Sequence, residues 1–384
     1  MSTNRRSFLQ YGAAAVAAAV AAARSTAFAA QAVMQGRRIV RQAAPENLET
    51  DFGNLADFIT PTDEHYVRSH FAVPQVDAAT WALDVKGLVA RPFTLSLDQL
   101  RALPAVTRVV TLECAGNGRS FLSPAVSGVQ WARGAVSTAE WTGVRLADLL
   151  DTAGLAAGAT RLVFEGHDRG EVKNVPFPAG PITFHRSLSI EEARARDVFV
   201  AYAIGGRPVP AGNGAPVRLI VPGCYGMASV KWLRGIEAVA GDFNGYWETT
   251  DYAYWDRTGT RPLRQPLLGM QVKSLIARPS AGGRVARGTS VELAGAAWSD
   301  GPVTRIEVST DGGRTWRDGV FVDSATDWAW RRWRFPWKVP ADAGEAVLMS
   351  RATDAKGRTQ PMTRNTDYGS YAIHHVVPMP VTIG

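Results

Sequence analysis

The sequence predicts an α+β domain followed by an Ig-like β-sandwich, and three observations carry that prediction. From about Ala78 to residue 262, strand-like and helix-like runs alternate, but not in the regular strand-helix-strand units that a parallel doubly wound sheet requires. Near residue 265 the helix signals fade, and short strand-like runs recur at a spacing that suits a sandwich of about 100 residues. In that second part Asp311-Gly312-Gly313 separates two alternating runs, which marks a hairpin. The chain therefore divides into an export signal (1–29), a lead-in (30–60), the mixed domain (61–262) and the sandwich (263–384).

In the first segment Asn4-Arg5-Arg6-Ser7-Phe8-Leu9 precedes an Ala/Val-rich run from Ala13 to Ala23 and the small-residue pattern Ala27-Phe28-Ala29. Adjacent arginines before a weakly apolar stretch resemble a twin-arginine signal, which implies a folded protein delivered to the periplasm. Arg24 ends the apolar run too early for a spanning helix, so no membrane anchor is expected after cleavage. Residues 30–60 are poorly periodic and read as extended. Thr80 to Leu88 is a strand, and Ser96-Leu97-Asp98-Gln99 is a capping box that opens a short helix before Pro104. Thr107 to Leu112, β-branched or apolar apart from Arg108, is a buried strand. Arg145 to Ala153 is an amphipathic helix and Arg161 to Phe164 a strand. A second capping box, Ser189-Ile190-Glu191-Glu192, leads through Arg196 to the strand Val198 to Ala203, and Val217 to Val221 is a strand ended by Pro222-Gly223. The second part offers Val291 to Ala297, Thr304 to Ser309, Thr315 to Val322, Trp328 to Phe335 and Ala346 to Thr353. Its cluster Trp328, Trp330, Trp333 and Trp337 reads as core or as a subunit contact.

Composition narrows the function. Hydrophobic residues make up 46% of the chain, ample for two cores. Formal charge is +7, and the first 29 residues carry Arg5, Arg6, Arg24 and no acid, which leaves a mild +4. No Lys/Arg block interleaved with aromatics occurs, which argues against a nucleic-acid partner. Two cysteines allow at most one bridge, Cys114 to Cys224, and no disulfide framework. The motifs CxxC, CxxCH, HExxH and GxGxxG are absent, so no covalent haem, zinc-protease or dinucleotide site is expected.

Cys114 draws attention because it ends the strand-like run and is followed by Ala115-Gly116-Asn117-Gly118, the small residues of a sharp turn. A thiol where a strand ends and a cavity can begin suggests a metal ligand; a packed core cysteine is the other reading.

Several segments together resemble the sulfite oxidase family of molybdopterin enzymes: His65-Tyr66-Val67-Arg68-Ser69-His70, Cys114 with Arg119, Ala201 to Gly223, Ser229 to Leu233, and Ile306 to Trp316 in the part similar to that family's dimerisation domain. The resemblance implies one molybdopterin per chain, with molybdenum held by the two dithiolene sulfurs and the Cys114 thiolate, a soft ligand suited to the metal. It implies that Arg68 and Arg119 line an oxyanion pocket, bidentate and permanently charged, with Trp131 walling one side and Tyr252 orienting substrate. Arg218 and Lys231, helped by Ser229, are then expected to bind the cofactor phosphate, and Tyr66, His70 and Asp168 the pterin and its linkage. Asn213 stands where animal members carry histidine; it can donate a hydrogen bond but cannot charge. His185-Arg186-Ser187 is a weaker match to a pterin contact, and Cys224 matches no ligand.

The implied chemistry is oxygen-atom transfer that turns sulfite into sulfate, with two electrons leaving singly to a separate c-type cytochrome, since the chain has no haem or flavin motif. A homodimer is implied by the same resemblance. A sulfane dehydrogenase of a thiosulfate-oxidising complex, a protein methionine-sulfoxide reductase and a non-catalytic exported binding module are the competing readings. The family's additional C-terminal arginine has no clear counterpart, Arg364 being about two residues out of register.

Overall fold

The computed structural model describes residues 33–172 and 180–384; the export-signal reading of residues 1–29 lies outside them. Strands dominate, and the helices are few and short. Both capping boxes form as their spacing predicts: Ser96 caps Leu97–Arg101 with Gln99 bonding back, and Ser189 caps Ile190–Ala195 with Glu192 bonding back. The amphipathic run becomes the helix Leu146–Ala153, which buries Leu146, Leu149, Leu150 and Ala153.

The first unit is built on two sheets. One has five strands in the order Ile182–Ser189, Arg161–Gly170, Leu233–Val239, Ala82–Gly87 and Phe93–Ser96, antiparallel except where Leu233–Val239 runs parallel to Ala82–Gly87. The other orders Arg207–Pro208, Phe199–Ile204, Val136–Arg145 and Ala105–Glu113, with Arg218–Ile220 also on Phe199–Ile204. Its longest pairing runs from Ala105 opposite Val144 to Glu113 opposite Val136. Side chains alternate across that strand. Val110, Leu112 and then Cys114 enter one core with Trp131 and Trp141, whereas Thr111 and Glu113 point the other way, towards the second unit.

The irregular segment after residue 32 folds into strands. Arg38–Gln42 pairs with Asn47–Thr50, which pairs with Val67–Arg68 so that Asn47 lies opposite Arg68. Its weak periodicity follows from short strands interrupted by turns, and its consequence is that Arg68 is held beside Asn47.

The second unit has two sheets: Lys273–Arg278, Ser290–Trp298, Arg331–Lys338 and Val320–Phe321 in one, and Arg284–Val285, Met379–Ile383, Gly344–Asp354, Val303–Ser309 and Arg317–Asp318 in the other. Leu293, Trp333 and Trp337 from the first share one core with Ile306, Leu348 and Val381 from the second. The run expected as one strand, Thr315 to Val322, is two: Arg317–Asp318 pairs in one sheet and Val320–Phe321 in the other, with Gly319 between them. The hairpin at Asp311 forms with a wider loop than a two-residue turn, closed by the Asp311 carboxylate accepting from the Thr315 backbone N and Oγ1. The four tryptophans divide. Trp333 and Trp337 fill the sandwich core, but Trp328 and Trp330 turn to the first unit, where the Trp328 carbonyl accepts from Thr111 N at 2.8 Å and Trp330 N donates to Thr111 Oγ1 at 2.7 Å.

Candidate active site

Cys114 sits directly after the strand Ala105–Glu113, in a turn closed by Asn117 N to Cys114 O at 2.8 Å and Arg119 N to Gly116 O at 3.0 Å. Gly118 has a φ of +96°, a region that favours glycine and lets the chain reverse there. The turn opens on a cavity. Of the residues expected in the site, Arg68, Cys114 and Tyr252 line it together with Tyr66, His70 and Asp168, and Asn213, Arg218, Ser229 and Lys231 complete that wall. Residues from more than 180 positions apart in sequence thus converge on one space.

Most are held in place by a specific contact. Arg68 donates to Asn47 Oδ1 at 3.3 Å and to the Ser69 carbonyl. Arg218 is clamped between the carbonyls of Asn213 and Ser229, both at 2.9 Å, with its guanidinium 5.0 Å from the Trp141 ring. Asn213 Nδ2 donates to the Tyr66 carbonyl at 3.2 Å, and Ser229 Oγ accepts from Val221 N at 3.0 Å. Lys231 Nζ donates to Gly212 O at 2.8 Å and Ser69 Oγ at 3.2 Å. His70 Nε2 lies 2.6 Å from Tyr252 Oη, and Tyr252 has a φ of +38°, unusual for a bulky residue and fixed by Leu267 N on its carbonyl and Asp251 Oδ1 on its amide. Tyr66 Oη reaches Gly226 so closely that a Cβ there would stand 2.4 Å away, which is why that position needs glycine.

Burial sets the electrostatics. It pushes Asp168 up to about 6 against the pull of Lys231, Arg218 down to about 10, and Lys231 well down, with Arg218 adding to that repulsion. Burial also keeps His70 neutral, helped by Arg68 and Lys231. The Cys114 thiol is raised by burial, while Arg68 and Arg119 pull it back. Burial opposes the charge on Arg68, yet Tyr252 and Cys114 beside it turn the balance upward, so this guanidinium stays charged. Cys224, fully buried, is pushed up to about 12 by burial, in keeping with a structural role.

Three expected placements change. Arg119 is not among the residues lining this cavity: its Nη1 donates to the Val129 carbonyl at 2.7 Å and its Nε to the Ser370 carbonyl at 3.2 Å, with the Tyr371 ring 5.3 Å away, and its charge still acts on Cys114. Trp131 is fully buried in the core that contains Cys114 and is no part of the cavity wall. His185-Arg186-Ser187 lies elsewhere: Arg186 donates to the carbonyls of Trp247 and Leu267 and, with Ser187, engages buried Glu248. Among the described residues no C-terminal arginine lines the cavity, Arg364 included. The C-terminal segment instead brings Tyr371, whose ring is 4.7 Å from Tyr252 and whose hydroxyl donates to Asp251.

A model of the oxidoreductase molybdopterin binding domain matches residues 70–247, and one of the Mo-co oxidoreductase dimerisation domain matches residues 264–369. The sulfite oxidase of Gallus gallus is 36% identical over 344 residues, 84% of this chain and 72% of that protein. The chain belongs to the sulfite oxidase family of molybdopterin-dependent oxidoreductases. The mitochondrial sulfite oxidase of Mus musculus is likewise 36% identical, over 80% of this chain, and the chain spans 58% of that relative's length. Among solved structures, the sulfane dehydrogenase SoxCD from Paracoccus pantotrophus superposes with a TM-score of 0.77 at 26% identity, covering 91% of this chain and 90% of that one.

The family's cofactor is molybdopterin, and the wall fits it. Asp168 Oδ1, His65 Nε2 and Arg218 Nε, all on cavity residues, are buried and make no hydrogen bond among the described residues. Unpaired acceptors and donors on one wall suit a pterin with amide-like edges and a phosphate, which supplies the countercharge that burial withholds from Arg218 and Lys231. Among the described residues no group of three or more His, Cys, Asp or Glu that could hold a metal ion occurs. His65 and Met227 also line the cavity; His65 lies in the run His65 to His70, but nothing about a lone histidine shows which way it faces.

Proposed function

We propose that the protein oxidises sulfite, or a related sulfur oxyanion, in a molybdenum-dependent reaction in the periplasm and passes the electrons singly to a separate c-type cytochrome. The observation that carries this reading is the meeting of Cys114, Arg68 and Tyr252 on one buried cavity. When bound, the cofactor supplies two-electron oxygen-atom transfer. Cys114 Sγ offers its single soft protein ligand. Arg68, charged and held by Asn47 and Ser69, binds the anion through a planar fork. Tyr252 Oη, bonded to neutral His70 at 2.6 Å, holds a proton beside that anion. Arg218, Lys231 and Asp168 would anchor the cofactor. The second unit, an Ig-like sandwich, pairs two copies of the chain.

A second reading, oxidation of sulfur bound to a carrier, is favoured by the likeness to SoxCD over nine-tenths of both chains and by a cavity wall that no C-terminal arginine reaches. Metal analysis of the purified protein combined with sulfite-dependent reduction of cytochrome c tests both. Molybdenum with sulfite turnover is the expected result; molybdenum without it, but with turnover of carrier-bound sulfur, moves the assignment to the second reading; no molybdenum from a host that makes the cofactor sinks both.

A further inference from the structure

From Thr111 to Arg119, the segment that carries Cys114 is held on every second residue by the second unit. Thr111 bonds to Trp328 and Trp330, Glu113 to Lys273 and Trp298, Ala115 O to Ala372 N at 2.8 Å, Asn117 O to Lys273, and Arg119 to Ser370 O. The centre of this seam is an ion pair between the units. Lys273 Nζ meets Glu113 Oε1 at 2.8 Å and Asn117 O at 2.9 Å, Trp298 Nε1 donates to Glu113 Oε2 at 2.8 Å, and Asn117 Nδ2 closes on Glu113 Oε1 at 3.0 Å. Lys273 and Glu113 are 2% and 1% exposed, so neither charge has solvent to fall back on. Glu113 precedes Cys114 and Asn117 closes its turn, so Lys273 grips the thiol's segment on both sides.

We propose that Lys273 is a positioning residue for Cys114: through its pair with Glu113 the second unit sets where the thiol stands, and the metal site is incomplete without residues beyond 270. Groups behind a ligand fix its orientation much as the ligand fixes the metal, and losing one typically costs roughly 10- to 100-fold in metal affinity or activity. The inference rests on Cys114 as the metal ligand.

The test uses the full-length, cofactor-loaded protein and reads the sulfur neighbours of molybdenum by X-ray absorption fine structure, beside kcat and KM. In Lys273→Met one sulfur neighbour is expected to lengthen or vanish, and kcat to fall roughly 10-fold or more with KM nearly unchanged; Lys273→Arg, which keeps the charge, restores part of both. Trp298→Phe removes one donor to Glu113 while keeping an aromatic ring, and shows the same change in smaller measure if Lys273→Met does not fold. A wild-type sulfur shell and kcat in the folded variants, with only a lower unfolding temperature, overturn the proposal. Cys114→Ser separates the two claims: if it keeps the full sulfur shell, the ligand reading itself fails.

Discussion

The wall of the cavity and the seam behind Cys114 are built from the same kinds of side chain, charged and almost wholly buried, yet they differ in how those side chains are paired. In the seam Glu113 accepts on both oxygens, Lys273 donates to two partners and Asn117 is engaged at both ends of its amide. On the wall Asp168 Oδ1, His65 Nε2 and Arg218 Nε have no partner among the described residues, and Asp168, Arg218 and His65 are driven by burial to about 6, about 10 and about 3. A closed polar network holds a fold together. An open one keeps its hydrogen-bonding capacity for a ligand, at a cost in stability that the fold must carry.

This contrast predicts opposite signs for similar substitutions. Lys273→Met should have the largest effect, a loss of about 3–5 kcal/mol in urea unfolding, because it strands Glu113 as a buried charge. Asp168→Asn should do the reverse in cofactor-free protein. Its carboxyl titrates at about 6 in the fold against an ordinary 3.8, so its contribution to stability is present below pH 4 and is lost as pH rises through 6. At pH 7 the asparagine variant is therefore expected to be more stable, by up to about 3 kcal/mol, and to lack the decline in unfolding temperature between pH 4 and 6. If it is less stable than wild type at pH 7, the wall is closed after all and the contrast breaks. Arg68→Met should raise KM for sulfite about tenfold or more, the equivalent of about 1.5–3 kcal/mol for a charged hydrogen bond, with little change in unfolding temperature. Tyr252→Phe should cost about 1 kcal/mol in stability by removing the bond to His70, and alter the pH profile of kcat more than KM. The smallest change is expected for Cys224→Ala, about 1 kcal/mol of packing with molybdenum content unaltered.

What could be read from the chain were the features set by near neighbours. Ser96 with Gln99, and Ser189 with Glu192, cap helices because the partners are three residues apart. The strand before Cys114 and the turn after it follow from β-branched residues and then glycines. The surroundings of Arg119 are not legible for the opposite reason: two of the groups its guanidinium contacts, Ser370 and Tyr371, lie some 250 residues away. Asn47 opposite Arg68 is legible only once two short strands have paired, and Glu113 and Lys273 each look like an odd charge in an apolar run until they meet.

By itself, then, the sequence determined the two-unit plan, the local elements and, through the segments around Arg68, Cys114, Arg218 and Lys231, the chemistry a site made from them can perform. Tertiary structure alone decided which of those side chains share the cavity, which back it, and that the second unit grips the segment bearing Cys114. The reason is physical: caps, turns and strand preferences are settled within a few residues, whereas the direction, pairing and charge state of a buried polar group depend on atoms that only the folded chain brings within hydrogen-bonding distance.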